Sequence, residues 1–325
     1  MDGIFALAMD NFSSPLILSF VLGFGAALAR SDLTFPDAAA KALSLYLLFA
    51  IGFKGGVSVS DHGVDGSLGL ALVAGIALSF VLPLIGFGLL RMLSGLDRTN
   101  AAVVAAHYGS ISIVTFVAGT SVLESQGITS EGYMVAVAAA MEAPAILSAL
   151  WLISRGEGDR RMDAELWREI LLNGSIVLLI GAFVIGMITG QDGLREIEAF
   201  IVSPFKGALC LFLLDMGLIA GRGLRGRGGG LSIGVVAFGL LMPLVGAALG
   251  AGVGILLGLS MGGVMLMMVL SASASYIAVP AAMRVAVPEA DPGIYLTLSL
   301  AVTFPFNLAL GIPIYLAVAR TLTGA

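Results

Sequence analysis

Apolar residues run in ten blocks along the chain, at about 13–29, 35–54, 68–93, 100–122, 131–154, 170–190, 197–220, 231–257, 261–283 and 293–319. Short polar or glycine-containing turns separate them. Each block approaches the roughly 20 residues a helix needs to cross about 30 Å of hydrocarbon, so the pattern predicts an all-α integral membrane protein of ten transmembrane helices. Strands of a membrane barrel would alternate over about ten residues each, a pattern the blocks do not show. The first block follows the acidic Asp2 and Asp10 with no basic leader, and it is read as helix 1 rather than a signal peptide.

The second half of the pattern repeats the first. ALSFVLPLIG (77–86) matches AFGLLMPLVG (237–246), which sets Pro83 against Pro243. Nearly the same offset pairs LYLLFAIGFKGG (45–56) with CLFLLDMGLIAG (210–221), GSIS (109–112) with ASAS (272–275), and MEAPAIL (141–147) with VTFPFNLAL (302–310). The chain therefore divides into a five-helix repeat over 1–155, a linker over 156–169 expected on the cytoplasmic side, and a second five-helix repeat over 170–325. Five is odd, so the second repeat is inverted relative to the first. Secondary transporters carry such repeats and bind substrate near the midplane where the repeats meet.

Composition sharpens the class. At 58% apolar and 11% charged, the chain lies far from the roughly 25% charged residues of soluble domains. A soluble or nucleic-acid-binding role is excluded. With the N-terminus outside, twelve of the 16 Lys and Arg residues fall in inner loops, the bias that sets orientation; both termini are then expected outside the inner membrane. Cys210 is the single cysteine and is read as a packing residue.

Candidate chemistry lies in the fourth and ninth helices. The fourth reads AAHYGSISIVTFVAG, with Gly109, Ser110, Ser112 and Thr115 in mid-span; the ninth reads VLSASASYIAVPAAMR, with Ser271, Ser273, Ser275, Tyr276 and Pro280. Glycine and proline weaken a helix, and non-helical backbone at membrane depth is tolerated only inside protein. Both helices are expected to break there. Each break exposes a half-helix N-terminus worth about half a positive charge, and two together balance one small anion without Lys or Arg. Gly109, Ser110, Ser112, Ser273, Ser275 and Tyr276 are the expected substrate residues. An anion moved inward against an inside-negative potential costs about 2.3 kcal/mol per 100 mV, so a coupling cation is expected. Thr115, Glu142, Thr303 and Asn307 supply the hard oxygen ligands sodium uses. No cofactor is expected.

Three further features carry less. His107 beside Tyr108 is read as a hydrogen-bonded packing residue. Lys54 and Asp215, at nearly matching places in the repeats, are read as helix-end charges near opposite surfaces. Gly246, Gly250 and Gly254 suit close helix contact.

At IGFKGG (51–56), GSIS (109–112), VLES through MEAPAIL (122–147), LDMG (214–217) and SASAS through GIPIYLA (271–317), the chain resembles the sodium-dependent bicarbonate transporter family. The resemblance implies ten helices in two inverted repeats, a homotrimer, and import of bicarbonate with sodium by a moving core. Helices 1, 2, 6 and 7, which lack symmetric polar breaks, are expected to form the gate, and helices 3–5 and 8–10 the core. The resemblance also implies that the serine-rich breaks fall on Gly109–Thr115 and Ser271–Ser275 and the acid on Glu142. Cyanobacterial members carry an acid where this chain has Tyr276, and Gly-Pro-Pro where it has Val279, Pro280 and Ala281. Their longer segment between helices 5 and 6 is about fifteen residues here, which leaves open whether the family's PII-like regulator is a partner. The rival transport reading is a sodium-coupled organic-anion permease of the bile-acid type. A remote alternative is an intramembrane enzyme with His107 activating Ser110 or Ser112.

Overall fold

The computed structural model describes residues 14–62, 66–142, 144–154, 172, 174–226 and 231–324. The linker expected over 156–169 lies outside the described residues. Every described element is helical: α1 (Pro15–Leu28), α2 (Asp37–His62), α3 (Gly66–Leu93), α4 (Arg98–His107), α5 (Ile113–Ser125), α6 (Met134–Ala140), α7 (Pro144–Ser154), α8 (Gly174–Ile201), α9 (Phe205–Gly226), α10 (Ile233–Leu256), α11 (Met261–Ala272), α12 (Ala278–Ala286) and α13 (Pro292–Thr323). Polar residues fix several starts. Ser14, Asp97, Ser232, Ser260 and Asp291 each accept a backbone N–H two or three residues on, satisfying a donor the helix cannot.

Seven spans among the described residues are long and apolar enough to cross a membrane, and α1, α5 and α11 are apolar but shorter. Interruption is what shortens α5 and α11. α2 runs on to His62, so Lys54 sits eight residues inside its end, and Asp215 is buried in the middle of α9. The reading of both as helix-end charges is therefore corrected: neighbouring helices bury Asp215, and α2 carries on past Lys54, neither of which a linear pattern reveals. α8 likewise continues to Ile201 where a loop is expected, turning at Gly190 with φ 57°. Its extension is surface helix, and Asp192 and Arg195 pair on it at 3.1 Å.

Helices pair through small residues. α1 lies along α9 and α2 along α8. A Cβ on Gly217 would strike the Phe20 carbonyl, and one on Gly56 the Phe183 carbonyl. Lipid offers no hydrophobic drive for association, so such backbone contact supplies the attraction. Gly250 brings α10 onto the Met267 backbone of α11 in the same way. α3 packs on α4, α7 and α10, and α11 also meets α5 and α13.

Candidate functional site

The chain leaves the helix at Tyr108–Ser112 and again at Ser273–Ile277. Gly109 permits the first departure: a Cβ there would stand 2.7 Å from the Ser79 carbonyl oxygen and overlap the Pro83 ring of α3. The two interruptions hold each other. Ser112 N–H donates to Ser273 Oγ at 2.9 Å, and Ser275 N–H donates to the His107 carbonyl at 2.6 Å. Ser273 Oγ in turn donates to the Leu270 carbonyl at 2.9 Å. These bonds satisfy backbone groups that unwinding frees, as an interior without water requires.

Beyond the interruptions the N-termini of α5 and α12 begin at one place. Ser112 Oγ accepts from Thr115 N–H at 3.2 Å and from the Thr115 hydroxyl at 3.0 Å, and Ser275 Oγ accepts from Val279 N–H at 3.4 Å. Between them lies a cavity of about 10 Å³, bounded by Ile111, Ser112, Ile113, Glu142, Ser275, Tyr276, Ile277 and Ala278. That is about the room the centre of one water-sized ligand occupies. Glu142 reaches it from the turn between α6 and α7, where Ser79 Oγ holds the Met141 carbonyl at 2.7 Å. Glu142 Oε2 is buried without a hydrogen-bond partner, and no basic residue lines the cavity among the described residues. The N-terminal ends of α5 and α12 and the Glu142 carboxyl group thus border one small cavity.

Not every expected residue lies there. Ser110 is buried with its hydroxyl unpartnered, but it is not on this wall. Gly109 packs on α3. Thr303 Oγ1 meets the Tyr108 hydroxyl at 2.6 Å and donates to the Gly239 carbonyl at 2.8 Å; Asn307 Nδ2 donates to the Ala272 carbonyl at 2.9 Å and its Oδ1 accepts from Tyr315 at 2.8 Å. Of the four expected sodium ligands, Glu142 alone lines the cavity, and Thr303 and Asn307 are bonded within the protein. His107 packs as expected: Nδ1 bonds the Val103 carbonyl at 2.7 Å and the ring stacks on Tyr295 with centroids 4.5 Å apart.

A feature the sequence reading missed is the ion pair from Lys54 of α2 to Glu124 at the end of α5, at 2.8 Å. Both residues line a crevice of about 270 Å³ that also includes Ser58, Thr120, Glu131 and Phe205. A second crevice, of about 250 Å³, opens beside the same end of α5, with Ser121, Lys206, Cys210 and Pro313 on its walls. Both are wide enough to admit a hydrated ion, unlike the cavity between the interruptions.

Helices long and apolar enough to span, with a small interior cavity between two interrupted ones, define a multi-pass membrane protein. A family model described as the Na+-dependent bicarbonate transporter superfamily matches residues 15–320. The chain belongs to that superfamily, whose members are transporters and not enzymes. Among curated proteins, none matches the chain. The intramembrane-enzyme alternative accordingly falls, and His107 bonds a carbonyl rather than a serine.

Proposed function

We propose that this protein imports bicarbonate coupled to sodium by alternating access, with the anion held between the N-termini of α5 and α12. The observation that carries the reading is the convergence of two half-helix N-termini on a cavity that holds Glu142 and, among the described residues, no Lys or Arg. About half a positive charge from each complements a monovalent oxyanion, and Glu142 supplies the oxygen that would hold sodium beside it.

The same reading takes the ten crossings as two inverted repeats. Hydrogen bonding across helices supports it. In one half Ser79 of α3 donates to the Met141 carbonyl; in the other Thr303 of α13 donates to the Gly239 carbonyl of α10. Ser79 and Gly239 occupy matching places in the repeat. α1, α2, α8 and α9 form the static gate, the remaining helices the moving core, and the crevices at the end of α5 mark the side open in this conformation. The homotrimer implied by the family resemblance would use α8, whose Val177, Ile180 and Ile188 are exposed.

The test is uptake of labelled bicarbonate into proteoliposomes. Uptake should require an inward sodium gradient and should not follow a proton gradient imposed without sodium. Uptake indifferent to sodium would overturn the coupling.

A further inference from the structure

α13 differs from the other spanning helices in containing two π-helical stretches, Ser299–Thr303 and Asn307–Gly311, with a short α-turn around Pro305 between them. Proline lacks the N–H that would continue the α-ladder, and a π-bulge is a rare device found mostly at functional sites. Its geometric effect follows from the turn. Residues four apart on an α-helix drift by about 40° per step, so a long stripe at that spacing winds off any one face. A wider turn advances less per residue and cancels the drift. Ser299, Thr303, Asn307, Gly311 and Tyr315 are spaced by four, and all five are buried.

The stripe meets both interruptions. Thr303 donates its hydroxyl hydrogen to the Gly239 carbonyl and so accepts from Tyr108, the residue that ends α4 where the first interruption begins. Asn307 donates to the carbonyl of Ala272, the last residue of α11 before the second interruption, and is itself held by Tyr315. Gly311 makes room for that last bond: a Cβ there would come within 2.7 Å of Asn307 Oδ1 and 2.9 Å of the Tyr315 hydroxyl. Two adjacent turns of one helix therefore grip the ends of α4 and α11, which the ladder between Ser112, Ser273, Ser275 and His107 already joins.

We infer that α13 is the clamp that fixes the separation of the two interruptions, and that Thr303 and Asn307 are positioning residues of the anion site rather than ligands of sodium. The inference deepens the transport reading and rests on it for the meaning of the site. Hydrogen bonding satisfies these two side chains without an ion, whereas Glu142 on the cavity wall keeps an unpartnered oxygen. With the clamp in place, the ends of α4 and α11 travel together when the core moves, and the anion's donors keep their spacing.

Hydrogen–deuterium exchange of the full-length protein in lipid nanodiscs tests the clamp without reference to substrate. Thr303→Val and Asn307→Leu should each raise amide exchange in peptides covering 106–116 and 270–280 by about fivefold, the effect of losing one hydrogen bond. Thr303→Ser should behave as the parent. Tyr108→Phe and Tyr315→Phe, which remove one hydroxyl and leave the α13 backbone alone, should act in the same direction and guard against misfolding of the first pair. In uptake, the positioning role raises KM for bicarbonate while leaving the half-saturating sodium concentration, at saturating bicarbonate, within about twofold of the parent. Unchanged exchange in both peptides, or a large rise in the sodium requirement with exchange unaltered, overturns the inference. A parent protein that carries no bicarbonate would sink the transport reading alone, and the exchange result would still decide the clamp.

Discussion

Ser110 and Glu142 are buried polar residues with atoms that no protein group satisfies, and leaving such groups unpaired costs about 1–3 kcal/mol each, more if charged. A ligand in the cavity that satisfies Glu142 returns that energy. Ser110→Leu adds volume next to the first interruption and should abolish uptake, while thermal unfolding in detergent shifts by no more than the 1–3 kcal/mol typical of overpacking. Parent-like uptake by this variant would show that transport does not depend on the space around Ser110. Glu142→Gln keeps the shape and discards the charge. The half-saturating sodium concentration should rise about tenfold, equivalent to the roughly 1.5 kcal/mol of a charged contact, with bicarbonate KM at saturating sodium little changed. An unaltered sodium curve would leave Glu142 a structural acid. Sequence alone marks Glu142 because an acid flanked by apolar residues in mid-span needs a partner. It does not separate Glu142 from Thr303 and Asn307, since hydroxyls and amides that bind ions are the same groups that bind carbonyls.

At the scale of the element, where helices stop is more legible than what holds them once stopped. Gly109 between Tyr108 and a serine run, and Ser271–Ser275 ahead of Pro280, announce interruption through the cost of glycine and proline. The ladder that ties the interruptions involves residues more than 160 positions apart, beyond the reach of any local rule. The π-stretches of α13 are also invisible to hydropathy, although the four-residue spacing from Ser299 to Tyr315 was there to be read. One helix start offers a clean measurement. Asp97 caps α4, accepting from Asn100 N–H at 2.9 Å and Asn100 Nδ2 at 2.6 Å. Burial would push its carboxyl up, but the Asn100 side-chain and backbone bonds outweigh it and hold the pKa below the ordinary 3.8. A folded pKa lower than the unfolded one gives stability that is complete above the unfolded value and lost as pH falls through the folded one. Asp97→Ala should therefore lower stability by about 1 kcal/mol at neutral pH, and the difference from the parent should shrink as pH drops below 3.8. A difference that persists in acid would assign the effect to packing instead.

Across the whole molecule, the contact from α2 to α5 through Lys54 and Glu124 joins the helices assigned to the gate with those assigned to the core. The side chains are 31% and 46% exposed, so the pair contributes about 1 kcal/mol at most and can part without great cost when the core slides. Replacing both by cysteine, after Cys210→Ala, and joining them with a short bis-maleimide should stop uptake; reduction-resistant crosslinked protein that still turns over would refute the sliding core. A matching crosslink between α1 and α9, which pack together, should leave uptake intact.

The serine hydroxyls at the interruptions are unequally engaged: Ser273 donates to Leu270 and accepts from Ser112, Ser112 and Ser275 only accept, from Thr115 and Val279, and Ser110 has no partner. Recognition of the anion is then shared between the hydroxyl hydrogens of Ser112 and Ser275, which are left to donate, and peptide groups, which no side-chain replacement deletes. In a library of alanine variants across 109–115 and 271–277, Ser112 and Ser275 should stand out with partial losses while most other positions stay near the parent, whereas a library of enlarged side chains at the same positions would report severe losses throughout. Selectivity among oxyanions would then drift in evolution by reshaping the walls, through residues such as Ile111, Ile113 and Ile277, with the polar chemistry of the site left standing.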